Sequence, residues 1–180
     1  GNLIVSNTVN GRDDTDNGIL VRNSQRNVLT NNRVMRQLAA GIAVDGAASS
    51  NTIRGNVIFS NAEKGILLDG VGVDANRVVE NTVRGPGQAI GITVYDGDRN
   101  IISNTSFVGH GGSGISLTNS ASTNLLVGNR SESNGAYGLS IYGFAAAYGN
   151  RVISNRLADN GSFGIRQFGG TRNMYTNNLV

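Results

Sequence analysis

The chain has 180 residues, a formal net charge of +3, 26 glycines, one proline and no cysteine. Without cysteine there is no disulfide framework, no thiolate metal site and no Cys nucleophile. No run approaches the roughly 20 apolar residues of a membrane span, and a modest charge without a recognised motif points away from nucleic acid, so neither membrane nor nucleic acid is an expected partner.

The chain begins in mid-pattern, with Asn2, Ile4, Asn7 and Val9 in a first partial coil. Asp13, Asp14 and Asp16 follow in a polar turn that looks like a fragment of a calcium loop; it lacks the later Glu such a loop needs and reads as a solvated turn. Gly18 then opens a unit that recurs from Gly41, Gly65, Gly91, Gly114, Gly138 and Gly164, a period of about 23 to 26 residues.

Each unit carries an Asn in register (Asn2, Asn27, Asn51, Asn76, Asn100, Asn124, Asn150, Asn173). A second Asn comes five residues later, from Asn7 to Asn178, with Thr105 the single lapse. Between the two lies an apolar column: Ile4, Leu29, Ile53, Val78, Ile102, Leu126, Val152 and Tyr175. A further column runs from Val9 to Val180, broken by Ser131, and pairs such as Ile66 with Leu68 and Ile92 with Val94 follow each opening Gly. Three short strands per coil with period-two patterning are expected.

Strands this short bury an apolar face only when coils stack at the strand spacing of roughly 4.8 Å and share one core. The expected fold is therefore an all-β, right-handed parallel β-helix of about seven coils with asparagine ladders. The tight corners favour left-handed backbone angles, which Asn and Gly tolerate and which account for the Asn columns. Stacked amides also satisfy one another from coil to coil. Pro86, in the Gly85-Pro86-Gly87 turn, sits at a corner, where a missing donor does least harm. Ser49, Asn51, Gly55, Asn56, Ser60 and Asn61 recur three coils later as Ser122, Asn124, Gly128, Asn129, Ser133 and Asn134, through duplication of a block or through agreement of loop lengths in a loose repeat.

The runs NTIRGNVIFSNAEKGILL, NRVVENTVRG and NLLVGNRSESNGAYGLSI resemble the right-handed parallel β-helix repeat proteins, a group that includes NosD-like periplasmic proteins, mannuronan C5-epimerase modules and several polysaccharide lyases. The resemblance covers essentially the whole chain. It implies the fold, a periplasmic or extracellular location and an acidic polysaccharide as partner; the scaffold hosts many activities, so it carries little else about function.

Loop length varies mainly between the opening Gly and the next ladder Asn, and variable loops on a rigid scaffold are where function gathers. Asp45 and Asp69 lie four residues after their glycines and Asp96 one further on, so the three carboxylates are expected to stack along one edge as catalytic groups or as a candidate calcium site. Tyr95 and Tyr142 are the phenolic acids or sugar platforms beside them; Arg22 is placed to neutralise a uronate carboxylate, with Phe144, Tyr148 and Phe168 as further substrate contacts. The bland alternative makes these loop aspartates turn hydrogen-bonders.

Arg33, Arg130 and Arg156 six residues after a ladder Asn, and Arg26, Arg99 and Arg172 just before one, suit glycan carboxylates or sulfates, or form a solvated face that keeps a flat sheet from aggregating. His110, in Gly109-His110-Gly111, is similar to the Gly-His-Gly of polygalacturonase-type β-helix hydrolases. Their paired Asp motifs are out of phase here and the epimerases' Asp-Pro-His is absent, so His110 reads as a turn residue. The expected function is a carbohydrate-active or carbohydrate-binding module on a uronate polysaccharide, lyase-like or epimerase-like. The alternative is a non-catalytic structural or self-assembling solenoid. One domain over 1–180, a segment of a longer protein or an uncapped solenoid with end-to-end self-association, completes the reading.

Overall fold

The computed structural model describes residues 1–12 and 16–180, with the side chains of 144–146 excluded, so Asp13, Asp14 and the Phe144 side chain lie outside the described residues. The chain winds as a right-handed parallel β-helix. Three sheets run along its axis: eight strands from Leu3–Val5 to Met174–Thr176 (sheet A), six from Thr8–Asn10 to Arg130–Glu132 (sheet B) and seven from Ile19–Arg22 to Phe163–Thr171 (sheet C). Every strand pairs in parallel with its counterpart one coil away. Ile53, Val78, Ile102, Leu126 and Val152 align in register and are fully buried, as the two-residue offset from the ladder Asn requires.

The ladders bond as the spacing implies. Asn51 Oδ1 accepts from the backbone N–H and Nδ2 of Asn27, both at 2.9 Å, and Asn51 donates through the same groups to Asn76 Oδ1 at 2.8 and 3.0 Å. The second Asn column behaves alike, and Thr105 keeps its rung by accepting from the Asn81 N–H at 3.3 Å. A third ladder links Gln37, Asn61, Gln88, His110, Asn134 and Asn160 at the corner between sheets B and C.

The left-handed residue at these corners is the one before the ladder position, which corrects the expectation that the Asn itself takes that conformation. Arg26, Ser50, Ala75, Arg99 and Thr123 precede the first ladder with φ between 54° and 58°, and Glu80 and Ser154 precede the second. A non-glycine residue pays roughly 1 to 2 kcal/mol for that angle; it persists because the amide that follows fixes the corner on both sides. Asn is selected for its hydrogen bonds.

The opening glycines have a different cause. At Gly65 a Cβ would stand 2.6 Å from the Gly91 carbonyl oxygen, and at Gly91 it would stand 2.4 Å from that of Gly114. The backbone of the next coil occupies the space a side chain would need.

Candidate functional site

Strand alternation turns Ile92 and Val94 inward and leaves Thr93 and Tyr95 on the outer face of sheet C. Register then builds a continuous outer column: Arg22 pairs with Asp45, Asp45 with Asp69, Asp69 with Tyr95, Tyr95 with Thr118, Thr118 with Tyr142 and Tyr142 with Phe168. Six sequence-selected residues thus share one line parallel to the helix axis. Two residues earlier in each strand runs a floor of Leu67, Thr93, Ser116, Ser140 and Arg166.

Beyond that floor stand Lys64 and Ile90, in register with each other, and further along Tyr137 and Phe163. Between the two rims lies a groove of about 390 Å³ lined by Lys64, Ile90, Thr93, Tyr95, Ser116, Thr118, Asn119, Tyr142 and Gly143. A second hollow of about 230 Å³, lined by Lys64, Leu67, Asp69, Thr93 and Tyr95, continues it toward the N-terminal coils. Thr93 is only 6% exposed, and its Oγ1 has no hydrogen-bond partner among the described residues. Hydroxyl groups along the floor and aromatic faces on the rims give this surface the mixed polarity that sugar rings present.

The aromatic rims stack along the axis. Tyr142 and Phe168 lie 5.2 Å apart at 9°, and Tyr137 and Phe163 lie 6.1 Å apart at 14°. Arg166 sits between them, its guanidinium 4.9 Å from the Tyr137 ring and 5.9 Å from that of Phe168, and it also donates to the Tyr137 hydroxyl.

Several expected members have other employment. Asp96 leaves the column: Tyr95 takes the place beside Asp69, while Asp96 adopts a left-handed turn (φ 61°) and accepts from Asn119 Nδ2 at 2.6 Å and from the Ser120 backbone at 3.1 Å. The expected row of three carboxylates is therefore absent, and no three His, Cys, Asp or Glu side chains among the described residues gather as metal ligands. Arg22 grips Asp45 through Nε at 2.9 Å and Nη2 at 2.6 Å, which raises its own pKa through that hydrogen bond. Tyr148 lies past an irregularity in its strand and pairs with Thr171, away from the groove.

Asp74 and Asp98 form a partial fourth ladder: the Asp98 N–H donates to Asp74 at 2.9 Å and the Ser122 N–H to Asp98 at 2.8 Å. Burial raises the Asp98 pKa, against that hydrogen bond. His110 is buried in the third ladder. Its Nδ1 faces Gln88 Nε2 at 3.2 Å, so the amide can donate to it and the proton belongs on Nε2, which has no hydrogen-bond partner among the described residues. Burial pushes the imidazole pKa down to about 4, opposed by the Val83 carbonyl.

Sequence reasoning missed Lys64, Thr93, Ser116, Thr118 and Arg166. The usable signal was the residue between each pair of inward apolar positions, together with the uniqueness of Lys64 as the only lysine.

No protein of curated function matches the chain in sequence. Among solved structures it is similar to the periplasmic alginate epimerase AlgG, at 19% identity and a TM-score of 0.83 over 95% of this chain and 44% of AlgG. The mannuronan C-5 epimerase AlgE4 A-module of Azotobacter vinelandii aligns at 16% identity and a TM-score of 0.65, over 96% of this chain and 58% of the module. The Dettilon tailspike protein aligns at 18% identity and 0.63, over 90% and 42%. At these identities the likeness is one of fold, and the chain spans less than half the length of AlgG. The repeat, the ladders and the sheet order agree with a family model that matches residues 1–178, and the chain belongs to that family, described as periplasmic copper-binding protein (NosD).

Proposed function

We propose that the chain binds an extended acidic polysaccharide along the outer face of sheet C, in a periplasmic or extracellular setting. The observation that carries this is the groove itself, with a floor of Thr93, Ser116 and Ser140 between rims that present Tyr95, Tyr142 and Phe168 in one register column. Coils repeat every ~4.8 Å, close to the advance of one sugar ring and its linkage, so a linear glycan laid along the axis meets an equivalent position on each coil. The description of AlgG as a periplasmic alginate epimerase, and of the family as periplasmic, supports the class of ligand and the location.

The pairing of Asp69 with Tyr95 favours a second, narrower reading, in which the groove is lyase-like or epimerase-like. The Asp69 carboxylate makes no hydrogen bond or ion pair among the described residues, and it lines the same hollow as Tyr95 and Lys64. A carboxylate and a phenol side by side can remove and return a proton.

The described residues do not fit copper or calcium. Copper sites draw on His, Met and Cys, whereas this chain has one His, two Met and no Cys. His110 is enclosed in its ladder, and Met35 and Met174 stand on different sheets. Of the candidate calcium ligands, Asp45 is held by Arg22 and Asp96 by Asn119 and Ser120.

Titration calorimetry with alginate, pectate, sulfated and neutral glycans, alongside absorbance of unsaturated products and NMR of C5 configuration, tests both readings. Binding that weakens several-fold, up to about tenfold, in Tyr95→Ala and in Tyr142→Ala is expected. Product formation abolished in Asp69→Asn supports the narrower reading; binding without product removes it. Binding to no glycan turns the conclusion to a structural solenoid.

A further inference from the structure

We infer that Arg166 is the residue by which the groove selects an anionic sugar, a carboxylate or a sulfate ester of the bound glycan; the inference rests on the polysaccharide reading above. Among the described residues three cations face this side of sheet C, and two are committed. Arg22 is forked onto Asp45, and Lys64 Nζ is 3.0 Å from Glu63. Arg166 is in register with Ser140 on the groove floor, and none of the ion pairs among the described residues includes it.

Its environment holds the guanidinium without neutralising it. Tyr137 and Phe168 flank the plane and the Tyr137 hydroxyl accepts one N–H, which leaves other donors of the fork without a carboxylate. A planar cation restrained in this way loses little freedom on binding and matches a carboxylate or sulfate edge through two hydrogen bonds. Four arginines on other faces of the solenoid are paired instead: Arg130 and Arg156 both close on Glu132, Arg54 on Glu80 and Arg99 on Asp74, whereas Arg33 stacks on Phe59 on sheet B, away from the groove.

The charge is also placed asymmetrically. Asp69 stands four coil steps from Arg166, roughly 19 Å at 4.8 Å per coil, with Tyr95, Thr118 and Tyr142 between. An acidic chain is attracted at the Arg166 end and repelled at the Asp69 end, so the aromatic stretch between Tyr95 and Phe168 is where its anionic sugars lie.

The test compares one alginate oligosaccharide with its carboxyl-reduced, neutral counterpart, and with a sulfated form of that neutral oligosaccharide, by calorimetry on the full chain. Wild type is expected to prefer an anionic form over the neutral one by about tenfold or more; which anionic form binds tighter separates carboxylate from sulfate. Arg166→Gln should bring that ratio close to one, while Arg166→Lys should retain part of the preference. Should Arg166→Gln prove unfolded by its thermal midpoint, Tyr137→Phe, which keeps the stack and removes the hydroxyl contact, should lower the ratio instead. An unchanged ratio in folded Arg166→Gln, or in Tyr137→Phe where that variant is used, overturns the inference while leaving glycan binding in place. Failure of wild type to bind any form overturns the polysaccharide reading and the inference with it.

Discussion

The ladder corners and the outer face of sheet C belong to the same coils, yet one repeats almost residue for residue and the other changes at all but one step. At the corners each coil completes the hydrogen bonding of its neighbour: Asn56 accepts from Asn32, and Asn81 from Asn56. On the outer face the corresponding column reads Arg, Asp, Asp, Tyr, Thr, Tyr, Phe. Coil-to-coil physics restricts the first region and leaves the second open to be shaped by a ligand. Substitutions should therefore cost stability at the corners and cost binding on the face.

The largest effect is expected at an opening glycine. Gly91→Ala forces a Cβ against the Gly114 carbonyl oxygen, the Phe107 ring and His110 Nε2 together, and should destabilise by about 3 kcal/mol in denaturant titrations. A variant as stable as wild type would break the contrast at its strongest point.

Acid should act next, through His110. Its folded pKa of about 4 lies below the 6.5 of a free imidazole, so the unfolded chain binds the proton more readily. Stability is fully present above pH 6.5 and falls as pH drops toward 4, by about 3 kcal/mol in total. His110→Asn keeps an amide at the ladder position and should flatten that limb of the pH profile. A profile unchanged by the substitution would show that the loss arises elsewhere, for instance at Glu132, whose pKa is lowered by the Arg130 and Arg156 hydrogen bonds and whose contribution disappears at lower pH.

Asn81→Ala comes third, at about 2 kcal/mol, because it strips partners from the Asn56 amide and from the Ile53 and Val79 carbonyls. Asn23→Ala should cost less: Asn23 accepts one exposed bond, from the Ala47 N–H at 3.0 Å. Equal denaturation midpoints for the two variants would remove the ladder argument. Smallest of all, Tyr95→Ala should leave thermal stability nearly unchanged, since this half-exposed ring (44%) stands outside the core.

The same contrast explains what could be read from the sequence. The Gly period, two Asn columns and three apolar columns were legible because every coil must satisfy identical neighbours. The third ladder was half visible, in Asn129 and Asn134 at a spacing of five, and hidden where Gln88, His110 and the Gly85-Pro86-Gly87 insertion altered it. On the outer face no periodicity was available. Asp45 and Asp69 stood four residues after their glycines, and so does Tyr95; Asp96, one residue on, falls at the turn, where a single step changes which way a side chain projects. Arg22 looked like a free cation because its partner Asp45 lies 23 residues away in sequence. Arg166 could not be singled out before its aromatic bracket was assembled from two different coils.

The most direct test of the groove is a crystal structure of the chain with an acidic oligosaccharide of at least four sugars. Sugar rings running along the helix axis over sheet C, stacked on Tyr95 and Tyr142 with an anionic group at Arg166, are the expected result. An oligosaccharide seated on sheet A or B, with the sheet C face empty, would contradict it.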